Sequence, residues 1–81
     1  MNAQALKHPR TLWSLEAAMW RAIEYSRKAN NGFGSAFVKS ATGKVLLTAC
    51  HDRSAVPAFS FYLNNGQDIT AQVLAVLRGE K

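Results

Sequence analysis

Cys50-His51-Asp52 is the one place where a thiol, an imidazole and a carboxylate follow one another. A thiol in contact with an imidazole can act as an activated nucleophile. Cys, His and Asp side chains can also ligate a metal ion. The local backbone opposes both uses. Adjacent strand residues point to opposite faces, so these side chains cannot converge while the strand continues. The nucleophile pair needs the strand to end before His51. The expected reading is a buried Cys50 followed by a loop histidine. The other candidates are thinner. His8 lies in a polar segment beside Pro9. Glu16, Glu24, Asp52, Asp68 and Glu80 show no pairing suited to acid–base work, and Asp68 reads as a helix cap. There is no Walker loop and no GxGxxG. With one cysteine and two histidines, neither a disulfide nor a four-ligand Cys/His zinc site can form within the chain. No catalytic residue, no metal and no cofactor is expected.

The bulk numbers narrow the partners. The 81 residues make one small domain, and a chain of this length buries roughly 60% of its unfolded surface. A core of that size rarely supplies more than about 3–5 kcal/mol, so a homodimer is the natural route to added stability. No apolar run approaches the ~20 residues of a membrane span, which argues against a membrane partner. Met1 to Leu6 lacks the basic start and apolar stretch of a signal peptide. A lone cysteine fits a reducing compartment, so the expected location is the cytoplasm. The protein is basic, with a net charge of +5 spread along the chain. A scattered surplus gives weak, salt-sensitive attraction to polyanions. Arg21, Arg27 and Lys28 are the residues through which a nucleic acid would bind.

The elements are legible from periodicity. Residues 1–10 are polar, hold Pro9 and read as a flexible arm. Thr11 is a plausible N-cap for a helix from about Leu12 to Ala29. Leu12, Leu15, Met19, Ala22, Ile23 and Ser26 form its stripe. Asn30-Asn31-Gly32 closes it. Phe33 to Lys39 is the first strand, apolar on both faces, and therefore expected to be central and covered on both sides. Gly34 and Ala36 would let a helix approach closely on one of them. Ser40-Ala41-Thr42-Gly43 turns the chain into a second, almost continuously apolar strand, Val45 to Cys50. His51 to Pro57 reads as a loop. Ala58 to Leu63 alternates, with Phe59, Phe61 and Leu63 on one face. After a turn at Asn64-Asn65-Gly66-Gln67, Asp68 or Thr70 caps a last helix to about Arg78, with Ile69, Val73, Val76 and Leu77 as its stripe.

Trp13 and Trp20 stand apart from the first helix's main stripe. At 100° per residue they fall near ~200–220°, against ~90° for the stripe. A chain this short has little left to cover a second face. The pair either packs on a neighbouring element of the same chain or forms a partner surface. Tryptophan is enriched at the energetic centres of interfaces, and the partner surface is the expected reading.

The segment from about Ala18 to Asp52 resembles the opening of the cytidine and nucleoside deaminase family. Met19 to Lys28 is similar to that family's first helix. Gly32-Phe33-Gly34-Ser35-Ala36-Phe37-Val38-Lys39 is like its Pro-Phe-Gly-Ala-hydrophobic strand start. Gly43 to Asp52 is similar to its second strand and the Gly-His-Asn that often follows. The match covers less than half of the chain. The family holds zinc through His-x-Glu and Pro-Cys-x-x-Cys, with the Glu moving protons for the metal-bound water. Here the histidine triplets are His8-Pro9-Arg10 and His51-Asp52-Arg53, and there is a single cysteine. Zinc-dependent deamination is therefore not available to this sequence. The resemblance implies a truncated or repurposed relative that binds a nucleoside or nucleotide near Phe33 and Asp52, with Asp52 where the family often has a sugar-contacting Asn.

These residues together lead to one α+β domain over 11–81. It is a three-stranded antiparallel meander with an N-terminal and a C-terminal helix packed on it, in the order α-β-β-β-α. The expected function is a small non-enzymatic interaction protein, a homodimer joined through Trp13 and Trp20. The alternatives are the deaminase-like nucleoside or nucleotide binder and a nucleic-acid binder. The sequence names no particular small-molecule or protein partner.

Overall fold

A computed structural model of the chain describes residues 6–79. Helix α1 spans Pro9–Lys28, strands β1, β2 and β3 span Phe33–Lys39, Val45–Asp52 and Phe59–Leu63, and helix α2 spans Thr70–Leu77. The fold is α+β, with the strands in the antiparallel order β1-β2-β3.

Helix α1 starts earlier than its apolar pattern suggests. His8 is the N-cap, its Nδ1 accepting from the Arg10 N–H at 3.2 Å, and Pro9 stands at the first helical position, where its missing N–H costs nothing. Thr11 is not the cap. It is buried in the first turn. Leu6 is also buried, at 1% exposure, and belongs to the core. The flexible arm expected over 1–10 therefore does not extend to Leu6, because an apolar side chain there has a core to enter. Residues 1–5 of that arm lie outside the described residues. The helix ends over Arg27 and Lys28, whose charges suit its C-terminal dipole, and Gly32 follows at φ 72°.

One side of α1 is fully buried, through Leu15, Ala18, Ala22 and Ser26 with Thr11 behind them. Leu12, Met19 and Ile23 are half-buried beside it. The buried side centres near ~40° on the helical wheel, so Trp13 and Trp20 project almost directly away from the sheet. The helix lies against β1 at Gly34. A Cβ on Gly34 would sit 2.6 Å from the Ser26 nitrogen and 2.7 Å from the Tyr25 Cβ, and would collide with the Ala22 carbonyl oxygen. The small residues anticipated in this strand are what admit the helix.

Strand β1 is an edge strand, not a central one. The centre belongs to β2, which pairs with β1 on one side and β3 on the other. The register sets Val38 opposite Leu47 and Ala36 opposite Ala49, then Leu47 opposite Leu63 and Ala49 opposite Phe61. These residues share the face on which both helices pack, and Leu15, Ile69 and Val73 complete the core there. The opposite face carries Phe33, Ser35 and Phe37, all exposed. Apolar side chains on both faces of β1 thus do not signal two covered faces: among the described residues nothing packs on the second. Between Val38 and Lys39 the register shifts, leaving Leu46 as the extra residue of a bulge.

Strand β2 continues through His51 and Asp52, which the sequence pattern assigns to a loop. Asp68 fixes the approach to α2. Its Oδ1 accepts from the Thr70 N–H at 2.9 Å and from the Thr70 hydroxyl at 2.6 Å, while Thr70 Oγ1 accepts from the Phe61 N–H at 3.0 Å. The turn before α2 is thereby tied to β3. Among the described residues no helix is long and apolar enough to cross a membrane.

Candidate functional site

The outer side of α1 holds the largest exposed aromatic surface of the molecule, with Trp13 at 72% and Trp20 at 67% exposure. Their seven-residue spacing in the sequence places them about 10 Å apart along the axis. Each borders a different hollow. Trp20 meets Glu16, Met19, Ile23, Phe59 and Leu77 around a mostly apolar space of about 550 Å³, between α1 and the α2 side of the sheet. Trp13 lines a groove of about 330 Å³ on the other flank, toward β1, with Arg10, Arg21, Phe37 and Lys39. The floor of that groove is fixed by Ser14, whose Oγ accepts from the Lys39 N–H at 2.8 Å. Helix and strand are thus stitched where the cations gather.

Phe33 and Asp52 are brought together, as a direct cross-strand pair on the open face of the sheet. Phe33 is 45% exposed. Asp52 Oδ1 accepts from the Ser54 N–H at 2.9 Å and the Ser54 hydroxyl at 2.7 Å. The Ser54 backbone bond first, and then its hydroxyl, hold the Asp52 carboxyl below its ordinary value. The neighbouring hollow of about 300 Å³ is lined by Asn30, Asn31, Gly32, Arg53 and Ser54, not by Phe33 or Asp52 themselves.

Alternation along β2 sets His51 on the opposite face from Cys50 and Asp52. Cys50 pairs with Ser35 and Ser60 on the open face, whereas His51 pairs with Gly34 and Phe59 on the helix face. Burial raises the Cys50 thiol pKa, and a bond with the Ser60 side chain partly offsets it. His51 lies edge-on to Phe59, with ring centroids 4.8 Å apart. Its Nδ1 is 2.8 Å from Ser26 Oγ, and that hydroxyl donates to the Ile23 carbonyl at 2.8 Å. The contact joins α1 to β2 across the helix–sheet interface whichever of the two groups donates. Among the described residues no group of three or more His, Cys, Asp or Glu side chains is placed to hold a metal ion.

Of the basic trio expected to meet nucleic acid, Arg21 lines the groove beside Trp13, while Lys28 lies 4.0 Å from Glu24 on the exposed surface. The residues that sequence reasoning missed are Arg10, Phe37 and Lys39. Arg10 falls in the segment read as an arm, and Phe37 in a strand read as covered on both faces. The Arg10-Trp13-Ala17-Arg21 spacing is a helical stripe once the helix is begun at Pro9.

No family model, no curated protein and no solved structure matches the chain.

Proposed function

We propose that this chain is a small non-enzymatic interaction protein that works as a homodimer joined through the outer side of α1. The observation that carries the reading is the exposure of Trp13 and Trp20 on the side of the helix turned away from the sheet. The apolar hollow beside Trp20 gives that side both a projection and a recess. A two-fold contact is self-complementary, so the Trp20 indole of one copy can seat in the hollow of the other. Large aromatic anchors in apolar recesses are the usual energetic centres of interfaces, and a core this small gains from association. Trp13 lies at the rim of this contact.

The test is native mass by light scattering after size exclusion, across a range of concentrations. The expected result is a dimer for the natural sequence and a monomer with unchanged circular dichroism for Trp20→Ala. A monomer at every concentration, or a dimer that survives Trp20→Ala, overturns the proposal.

A second reading is a deaminase-like nucleoside or nucleotide binder at Phe33 and Asp52. It is supported by the register that sets these two side chains opposite one another. A ligand of the folded state raises the melting temperature by mass action. The expected result is such a rise with one member of a nucleoside panel, lost in Asp52→Ala. No rise across the panel sinks it.

A further inference from the structure

The groove beside Trp13 gathers Arg10 and Arg21 from α1 and Lys39 from the end of β1, and no acidic side chain lines it. Among the described residues these three charges have no carboxylate partner. Glu24 is beside Lys28, and Glu16 lines the Trp20 hollow on the other flank of the helix. Asp52 and Asp68 are engaged by Ser54 and Thr70. Like charges brought together without a counter-charge raise the local positive potential and attract anions. Trp13 and Phe37 border the same groove and are 72% and 59% exposed, which leaves ring faces open. Cations beside exposed rings form the combination that holds a phosphate while stacking its base. The volume of about 330 Å³ is at the low end of small-molecule sites, which run from about 300 to 1,000 Å³.

We propose that this groove binds the nucleotide unit of single-stranded nucleic acid, with a base against Trp13 or Phe37 and the adjoining phosphate held by Arg10, Arg21 and Lys39. The site shares no lining residue with the Trp20 hollow or with the Phe33–Asp52 pair. Trp13 alone, at the rim of the proposed dimer contact, belongs to both groove and contact, while Phe37 and the three cations lie outside that contact. Duplex nucleic acid keeps its base faces stacked internally and fits poorly. A free nucleotide carries the same base and phosphate and is the other source of the same chemistry.

The test is fluorescence anisotropy of a labelled single strand of ~10 nucleotides, titrated with the whole chain at several salt concentrations. Three released counterions on a single strand make affinity fall roughly 20-fold between about 50 and 200 mM salt. Arg21→Gln with Lys39→Gln leaves one groove cation, so the fall shrinks to about 3-fold. Phe37→Ala weakens binding roughly 5- to 150-fold without changing the salt slope. Arg27→Gln with Lys28→Gln removes the same formal charge outside the groove and leaves the slope as it was. All the substituted side chains are exposed, and unchanged circular dichroism shows that each variant is folded. Competition by adenosine monophosphate that depends on Arg21 and Lys39 supports the site, with free nucleotide as its source. No binding at low salt overturns the proposal. So does duplex binding as tight as the single strand, or an equal change of slope in the Arg27/Lys28 variant.

Discussion

Replacing Gly34 by alanine should nearly unfold this domain. The added methyl carbon would lie 2.6 Å from the Ser26 nitrogen and 2.7 Å from the Tyr25 Cβ, and would overlap the Ala22 carbonyl oxygen. Two of these three atoms belong to the backbone of α1, so no rotamer change relieves the overlap. The helix must retreat from β1 by about 1 Å, and a gap of that size forfeits a quarter to a half of each dispersion contact it opens. The contacts at stake include those of Ala18 and Leu15 with the sheet residues Val38, Leu47 and Ala49. The cost belongs at the upper end of the ~1–3 kcal/mol seen for overpacking. It is set against a core that supplies only about 3–5 kcal/mol. At ~4–8 °C per kcal/mol for a domain of this size, Gly34→Ala lowers the melting temperature by roughly 12–24 °C. Thermal melts and urea titrations followed by circular dichroism read this directly. Ser35→Ala is the control, because its side chain is on the open face of the same strand. Gly34 has no positive φ, so alanine also reduces the freedom of the unfolded chain, a gain of about 0.4–1 kcal/mol. A neutral or stabilised Gly34→Ala variant would refute the close helix–strand approach.

Other perturbations probe the ties between elements. Ser26→Ala removes the hydrogen-bond partner of His51 Nδ1 and should cost about 1–2 kcal/mol in urea unfolding; an unchanged midpoint would mean that His51 finds water instead. Asp52 and Asp68 have lowered pKa values, through bonds from Ser54 and from Thr70 respectively. Their folded values lie below their unfolded ones, so their contribution is present above the ordinary carboxylate range and is lost as pH falls through the lowered values. Melting temperatures measured from neutral to acid pH should fall there, and Asp52→Asn with Asp68→Asn should flatten the fall. The Cys50 thiol is shifted the other way by burial, so it should react with an aromatic disulfide at least about 10-fold more slowly in the folded protein than in urea. Equal rates would show that the thiol is open to solvent. By the same sign rule, the raised thiol value removes stability as pH rises beyond the ordinary thiol range.

The order of the elements was readable because each local pattern agrees with its place in the fold. The stripe of α1, the turn at Gly43 and the alternation of Phe59, Phe61 and Leu63 all match what the structure contains. The small residues of β1 correctly marked the side on which the helix lies. What could not be read was which strand sits in the middle. Apolar residues on both faces of β1 suggested burial on both, but coverage depends on how many elements the chain has to lay down, and both helices go to one face. The helix start was hidden because an imidazole caps it and a proline opens it, whereas Ser, Thr, Asp and Asn are the side chains that commonly cap. The exposed tryptophans were identified as a separate surface from spacing alone. The cationic groove was not, because Arg10, Arg21 and Lys39 come from distant positions that only the packing of α1 against β1 brings side by side.

The two borders of the sheet are unequal. Along the outside of β3 the chain itself returns: Leu63 N–H donates to Gln67, Ile69 N–H donates to Phe61, and Tyr62 forms a bridge with Asp68. Among the described residues the outside of β1 has no such strand. Any added strand, from a peptide or from another copy, is therefore confined to a single border. If two copies met there, each would use up the β1 border, whose end N–H groups on Phe33 and Lys39 are already held by Asn31 and Ser14, and growth would stop. An endless ribbon would require the Gln67–Ile69 segment to peel away first. The short stretch around Asp68, which looks like a mere connection into α2, thus covers the border along which β3 would otherwise accept a further strand.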